Sequence, residues 1–123
     1  MRTIYQSIVQ NIGSDAAVFI EERMIVLFGE EAPAELVDFC YIINKVPLED
    51  EITVGDILVL DGIEYKITAV GSEVCRNLSN LAHISISFKG LTKAELAGTL
   101  YVEEKKIINL KEGSVIKIKK NDI

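Results

Sequence analysis

The sequence predicts a mostly β protein: a small barrel or folded sheet with one or two short helices. Segments that alternate between polar and apolar residues follow one another closely along the 123-residue chain, with turn residues between them. One dipeptide, Asp61-Gly62, joins two of these segments as the two-residue loop of a hairpin would. After Gly71 the spacing becomes helical over a single segment. Short strands packed this densely are typical of small β barrels.

Strands are predicted wherever residues alternate or form a short apolar run that ends at glycine or another turn residue. The clearest pair lies at 56–60 and 63–70, on either side of the Asp-Gly turn. In the strand LVDFCYIIN, side chains 39, 41 and 43 should face one side and side chains 40 and 42 the other. The remaining predicted strands are TIYQSIVQNI (3–12), MIVLF (24–28), LVDFCYIIN itself (36–44), HISISF (83–88), GTLYVEE (98–104) and SVIKIKK (114–120).

One helix is predicted over residues 72–81, where Val74, Leu78 and Leu81 recur at helical spacing. Ser72 is its predicted N-cap, and Glu73 suits the positive end of the helix dipole. A shorter helical turn is predicted around residues 14–22.

Two segments share a pattern of an apolar residue, a glycine, a small polar residue and then a strand. They are ITVGDILVL (52–60) and LKEGSVIKI (110–118). The pattern is short and permissive, and by itself it does not indicate a duplication.

Length and composition indicate one domain over residues 1–123, with enough apolar residues for a core. The net charge of −6 disfavours nucleic acid or an anionic membrane surface as the main partner and is compatible with a basic docking patch on a protein. Cys40 and Cys75 are far apart among apolar neighbours, which favours buried, reduced thiols over a zinc site. The sequence has no signal-peptide core and no apolar run of membrane-spanning length, so we expect a cytoplasmic protein.

No local motif of a common enzyme class is present in the sequence. Cys75 lies eight residues before His83, but nothing in that spacing forces a Cys–His pair. Paired carboxylates such as Glu30 with Glu31 fall in predicted turns, where solvated charge is the usual interpretation. The only histidine, His83, therefore becomes the main candidate for chemistry, beside the plainer alternative of a structural imidazole.

The alternation of HISISF places His83, Ser85 and Ser87 on one strand face and three apolar side chains on the other. Because the apolar set should face the core, this phase favours an accessible imidazole. The candidate hydrogen-bond donors around it are Ser85 and Ser87 on the same face, with Ser72 and Asn77 from the preceding helix.

Several separated stretches carry a family resemblance over nearly the whole chain. They are IYQSIVQNIG, the Ala32-Pro33-Ala34 segment with Leu36 and Cys40, the long stretch ITAVGSEVCRNLSNLAHISISFKGL, Gly98-Thr99, and Gly113-Ser114-Val115. In these features the chain resembles the glucitol/sorbitol-specific IIA component of the bacterial phosphotransferase system.

The resemblance implies a mostly β pseudobarrel that acts as a cytoplasmic phosphocarrier and so as a phosphotransferase component. It would accept a phosphoryl group from the histidine phosphocarrier protein and pass it to the IIB domain of a sorbitol permease, whose IIC component lies in the membrane. No metal or other cofactor is implied, and oligomer formation is left open.

The resemblance also carries a departure. The family pattern implies a phosphorylated histidine shortly after the cysteine of the APAxLxxxC stretch, and this sequence has Ile43 there. Two interpretations follow: phosphorylation through His83, or a binding module of the same system that no longer carries phosphate. A third is a barrel that binds a polyol directly, which the absence of tryptophan disfavours.

Overall fold

A computed structural model describes residues 1–121. Eight strands form a closed barrel in the order β1-β3-β2-β6-β7-β5-β4-β8, so the mostly β prediction is confirmed. The strands are β1 (Arg2–Ile12), β2 (Met24–Phe28), β3 (Tyr41–Ile43), β4 (Ile57–Leu60), β5 (Ile63–Val70), β6 (Ile84–Ser87), β7 (Thr99–Val102) and β8 (Val115–Lys120). One α-helix, α1 (Val74–Leu81), and two 3-10 segments, Ala16–Glu22 and Val37–Phe39, complete the elements.

The hairpin between β4 and β5 turns where the sequence predicts. Asp61 and Gly62 both have positive φ angles, 47° and 84°, as the favoured two-residue hairpin turn requires. The α-helix and the 3-10 segment Ala16–Glu22 also lie where helical structure is predicted. The N-cap prediction is wrong, however, because α1 begins after Glu73 and not after Ser72, and Glu73 makes no side-chain capping bond.

The strand predicted over residues 36–44 is too long. Only Tyr41–Ile43 is extended, and the 3-10 segment Val37–Phe39 precedes it. Backbone N–H groups of Gly13 and Asp15 bond the carbonyl oxygens of Cys40 and Asp38, and these bonds hold the segment against the end of β1. Phe39 therefore does not share the core face of β3: its side chain is 37% exposed, against 3% for Tyr41 and 0% for Ile43.

The barrel consists of two tandem repeats of the same strand topology, residues 2–60 and 63–120. Strands β1, β2, β3 and β4 correspond in order to β5, β6, β7 and β8, and exchanging the two sets reproduces every neighbour in the barrel. The pairs β2–β3 and β6–β7 are both parallel, whereas the other neighbours are antiparallel. The molecule thus has an internal pseudo-twofold symmetry that the sequence alone does not establish.

Hydrogen bonds at equivalent positions support the correspondence. Gly13 donates to Cys40 at 2.9 Å in the first repeat, and Gly71 donates to Thr99 at 2.9 Å in the second. After the helical segments, Arg23 and Ala82 both adopt the left-handed conformation, with φ of 58° and 54°.

The two similar sequence segments prove to be one turn used twice. Gly55 and Gly113 have φ of 97° and 90°, and each donates its N–H to the opposite repeat's equivalent strand position, Ile67 or Val9. In each turn the following side chain, Asp56 or Ser114, accepts the backbone N–H three residues before it at 2.8 Å. Both β4 and β8 therefore begin after a turn that contains a glycine at positive φ and a side-chain hydrogen-bond acceptor.

Apolar side chains from both repeats fill the barrel. Their burial, at roughly 1.5–3 kcal/mol for each large aliphatic side chain, is the main stabilising contribution to the fold. Fully buried members of this core include Ile4, Ile25, Leu58, Ile67, Ile86 and Ile118.

A smaller cluster of buried apolar side chains is separate from the main core. Its members are Phe28, Cys40 and Ile42, with Val26, Ala32 and Val37 packed against them. Phe28 and Ile42 alternate with core residues along β2 and β3, so this cluster lies on the outer face of the barrel.

Candidate functional site

His83 stands at the junction between α1 and β6. Ala82 ends the helix in the left-handed conformation, and the backbone N–H of His83 donates to the carbonyl oxygen of Asn77 at 3.2 Å. Ile84, Ile86 and Phe88 then point into the core, as the alternation predicts. The imidazole therefore projects from the outer face, at a position fixed by the helix end on one side and the barrel on the other.

The ring of Phe28 covers one face of the imidazole. Strands β2 and β6 are antiparallel with Leu27 opposite Ile84, which places Phe28 opposite His83 at the next position. The two rings stack with centroids 4.0 Å apart and an interplanar angle of 9°. Because Phe28 belongs to the outer apolar cluster, one side of the imidazole is desolvated and its orientation is set by packing.

The ring nitrogens of His83 are not committed elsewhere. Within residues 1–121 the imidazole makes no hydrogen bond and no ion pair. The residue is half-buried, and this burial lowers the pKa of His83 below its usual value. The imidazole is therefore neutral at pH 7 and has a lone pair available for attack on an electrophile.

Two of the predicted donors lie near the ring. Ser85 follows on the same strand face, half-buried between Val26 and Thr99, roughly 7 Å along β6. Asn77 contacts the His83 backbone, and its amide nitrogen lies beside Gly98 at the start of β7.

The other two predicted donors are placed farther away. Ser87 is buried between Met24 and Tyr101, roughly 13 Å from His83 along the strand. Ser72 is exposed before the first turn of α1. Ser85 and Asn77 thus lie closer to His83 than Ser72 and Ser87 do, and within residues 1–121 none of the four donates a hydrogen bond to the imidazole.

A cleft of about 480 Å³ begins beside the His83–Phe28 pair. Its lining includes Gly29, which follows Phe28, and Leu81, two residues before His83. Lys45 and Asn44, just after β3, also line it, and so do two acidic residues, Glu30 and Glu31. No local sequence pattern singles out Lys45, because it becomes a neighbour only through the parallel pairing of β2 with β3.

Ile43 lies inside the barrel. It is 0% exposed, pairs with Val9 across β1 and β3, and belongs to the main core. Side chains at positions 42 and 43 alternate, so the outer site is reached from Ile42 and not from Ile43. The position at which the resemblance implies a histidine is therefore apolar and closed to solvent in this chain.

Other chemistry finds less support in the geometry. Cys75 packs against the main core from α1, whereas His83 stacks outside on Phe28. Across the described 121 residues, no group of three histidine, cysteine or acidic side chains could hold a metal ion. In the same part of the chain, no helix is long and apolar enough to cross a membrane.

The fold and the site together define a small β-barrel protein that presents one neutral imidazole on its outer surface. Comparisons with known proteins identify the family and the fold. The family of the PTS system glucitol/sorbitol-specific IIA component matches residues 4–117. Proteins named PTS system glucitol/sorbitol-specific EIIA component, from Shigella flexneri and Escherichia coli, are each 35% identical over 117 residues, covering 95% of both chains.

A solved structure shows the same fold. The crystal structure of a PTS system IIA component from Enterococcus faecalis superposes with a TM-score of 0.76 at 27% sequence identity, covering 91% of this chain and 97% of that one. The chain belongs to the glucitol/sorbitol-specific IIA component family of the phosphotransferase system.

Proposed function

We propose that this protein is a cytoplasmic phosphocarrier of a sorbitol transport system and that His83 carries the phosphoryl group. It would accept the group from the histidine phosphocarrier protein and pass it to the IIB domain of the permease, as one domain over residues 1–123. Family membership supports the general role. One observation carries the assignment to His83: the only histidine is half-buried on the outer face, with its ring nitrogens uncommitted within residues 1–121.

The transfer needs little beyond position and charge. A ring nitrogen of neutral His83 forms a bond to phosphorus while the bond from phosphorus to the donor's nitrogen breaks. The donor keeps that electron pair. In the onward step a nucleophile of the IIB domain attacks the phosphorus, the bond from phosphorus to the His83 nitrogen breaks, and His83 keeps its electron pair. The transition state is loose, so hydrogen-bond donors around the phosphoryl oxygens matter more than an acid or a base. The candidate donors are Ser85 on the same strand face, Asn77 from α1, and Lys45 in the neighbouring cleft.

Phosphorylation of wild type and His83→Gln protein tests the proposal. With phosphoenolpyruvate, the first enzyme of the system and the histidine phosphocarrier protein, wild type should gain one acid-labile phosphate by mass spectrometry. His83→Gln should gain none, whereas Met24→Gln, a change at the equivalent position of the other repeat, should label normally. Unlabelled wild type, with the donor fully phosphorylated, would contradict the proposal. Normal labelling of His83→Gln would do so as well.

A second candidate function is a binding module of the same system that carries no phosphate. The burial of Ile43 at the position of the implied histidine favours it. Changing Ile43 to His separates the candidates. We expect Ile43→His to lose about 2 kcal/mol of unfolding free energy, because a polar ring enters the core without a designed partner.

The same variant should gain no phosphate in a His83→Gln background. Restored labelling there, with a cooperative urea transition, would show that position 43 can be the carrier site and that wild type has lost it. Val102→His, at the equivalent core position of the second repeat, is the matched control for destabilisation alone.

A further inference from the structure

The first repeat exposes a set of large apolar side chains around its two 3-10 segments. We call four of these residues the apolar face: Ile12 (38% exposed), Val18 (54%), Leu36 (42%) and Phe39 (37%). The rings of Phe19 and Phe39, with centroids 6.1 Å apart, join the two 3-10 segments beneath it. A cleft of about 390 Å³ adjoins this face and is lined by residues that include Ile12, Val37 and Asp38.

The second repeat shows that the fold does not need this face. At the positions equivalent to Val18, Leu36 and Phe39 it has Arg76, Glu95 and Gly98. At these three positions the second repeat has charged or small residues where the first exposes apolar ones. It also exposes two leucines of the same loop, Leu91 and Leu96, at 38% and 63%. Because exposed apolar area lowers solubility without adding to the core, the grouping of four exposed apolar residues around the two 3-10 segments indicates a binding role.

Charge identifies the kind of partner. Residues 1–61 hold twelve acidic and three basic residues, a net charge of −9, whereas residues 62–123 hold seven acidic and ten basic, a net charge of +3. Asp15, Glu35 and Asp38 stand exposed around the apolar face. A second copy of this chain docked face to face would set acidic rim against acidic rim, so a partner of opposite charge fits better.

We propose that the apolar face with its acidic rim is the docking surface for the protein that exchanges phosphoryl groups with His83, and that this partner presents an apolar patch ringed by lysine and arginine. The surface adjoins the site through Val37, which packs against the Phe28 cluster and also lines the cleft beside the face. The inference rests on the proposed function. Since the chain has one histidine, donor and acceptor must approach this same surface in turn.

Binding of the histidine phosphocarrier protein, measured by isothermal titration calorimetry, tests the surface separately from the chemistry. Val18→Arg with Leu36→Glu keeps the net charge and introduces the residues of the second repeat. This double variant should weaken Kd at least tenfold. Glu35→Lys with Asp38→Lys should weaken it at least as much and flatten its dependence on salt.

Matched changes in the second repeat control for fold and for total charge. Leu96→Arg with Leu91→Glu, and Glu95→Lys with Glu112→Lys, alter exposed residues and should leave Kd within twofold. Equal losses from both sets of variants would overturn the docking surface, and so would unchanged Kd in the first set. A dimer in sedimentation analysis that only the face variants dissociate would assign the face to a second copy instead. Wild type that binds through this face but takes no phosphate would refute the proposed function and leave the docking surface standing.

Discussion

The first and second repeats have the same strand topology but differ in the side chains on the outside of the barrel. Both close their first strand with a glycine that donates to a carbonyl oxygen at the start of the third strand, and both start their last strand from the same glycine turn. Outside, the first repeat is acidic and exposes the apolar face, whereas the second is basic and exposes charged or small residues at those positions. The difference indicates that the shared residues maintain the fold and the differing ones determine binding.

The contrast is sharpest across the β2–β6 pair, where the two repeats meet. At one end His83 stacks on Phe28, and at the symmetry-equivalent end Met24 lies opposite Ser87. The two ends occupy equivalent positions in the register of the pair. The two ends differ in their side chains. One end carries the partly desolvated imidazole of His83, and the other carries the Met24 thioether opposite the Ser87 hydroxyl group. The candidate site is therefore a local specialisation of one half of a symmetric barrel.

The largest expected effect concerns what the repeats share. A Cβ atom at Gly13 would collide with the carbonyl oxygens of Val37 and Asp38, and one at Gly71 with those of Leu96 and Ala97. These are backbone atoms held by hydrogen bonds, so they cannot move aside cheaply. We expect Gly13→Ala and Gly71→Ala each to lower the free energy of unfolding by about 3 kcal/mol, measured by urea denaturation.

Gly98→Ala is the control for the glycine prediction. A Cβ atom there would meet only the Asn77 amide nitrogen, at 3.7 Å, and the change should cost less than about 0.5 kcal/mol. If Gly13→Ala and Gly71→Ala differed by more than about 2 kcal/mol, the two repeats would not use this contact equivalently.

The parts of the fold that sequence predicts well are local. Asp61-Gly62 specifies its hairpin because both residues accept positive φ, and helical spacing from Val74 to Leu81 specifies α1. The alternation in β6 correctly places Ile84 and Ile86 in the core and His83 outside. Each of these signals acts within a few residues of the chain.

The parts that sequence does not predict depend on distant residues. Phe28 meets His83 only because β2 pairs with β6, and no local pattern gives that register. Residues 37–39 form a 3-10 segment and not strand because Gly13 and Asp15 bond their neighbouring carbonyl groups. The duplication was hidden for a related reason: the repeats share a few backbone-determining residues, while most side chains differ.

A smaller effect should follow from changing the specialised pair. Phe28→Leu removes the stacked ring and should cost about 1 kcal/mol of stability. It should also raise the pKa of His83 back toward about 6.5, because the imidazole becomes more solvated. NMR titration of the His83 ring protons measures this shift, and Met24→Leu, at the unspecialised end, should leave it unchanged.

The sign of the pH dependence follows from the lowered pKa of His83. The unfolded chain binds this proton more readily than the folded one, so His83 reduces stability as pH falls from about 6.5 toward the folded pKa. Phe28→Leu should reduce that pH-dependent loss. A pKa of His83 that is the same in wild type and Phe28→Leu would show that Phe28 orients the ring without desolvating it.

The smallest expected effect is the recovery of phosphate incorporation when the histidine is moved to the other end of the symmetric pair. We expect almost no recovery. Met24→His in a His83→Gln background places an imidazole at the equivalent backbone position, opposite Ser87 instead of Phe28. The new imidazole would lack the stacked ring, and it would lie by the half of the barrel without the apolar face and acidic rim. We expect less than a tenth of wild-type phosphate incorporation from the histidine phosphocarrier protein, with the fold retained by circular dichroism. Incorporation near the wild-type level would mean that an exposed imidazole anywhere on the barrel suffices, and the asymmetry between the repeats would then have no part in phosphoryl transfer.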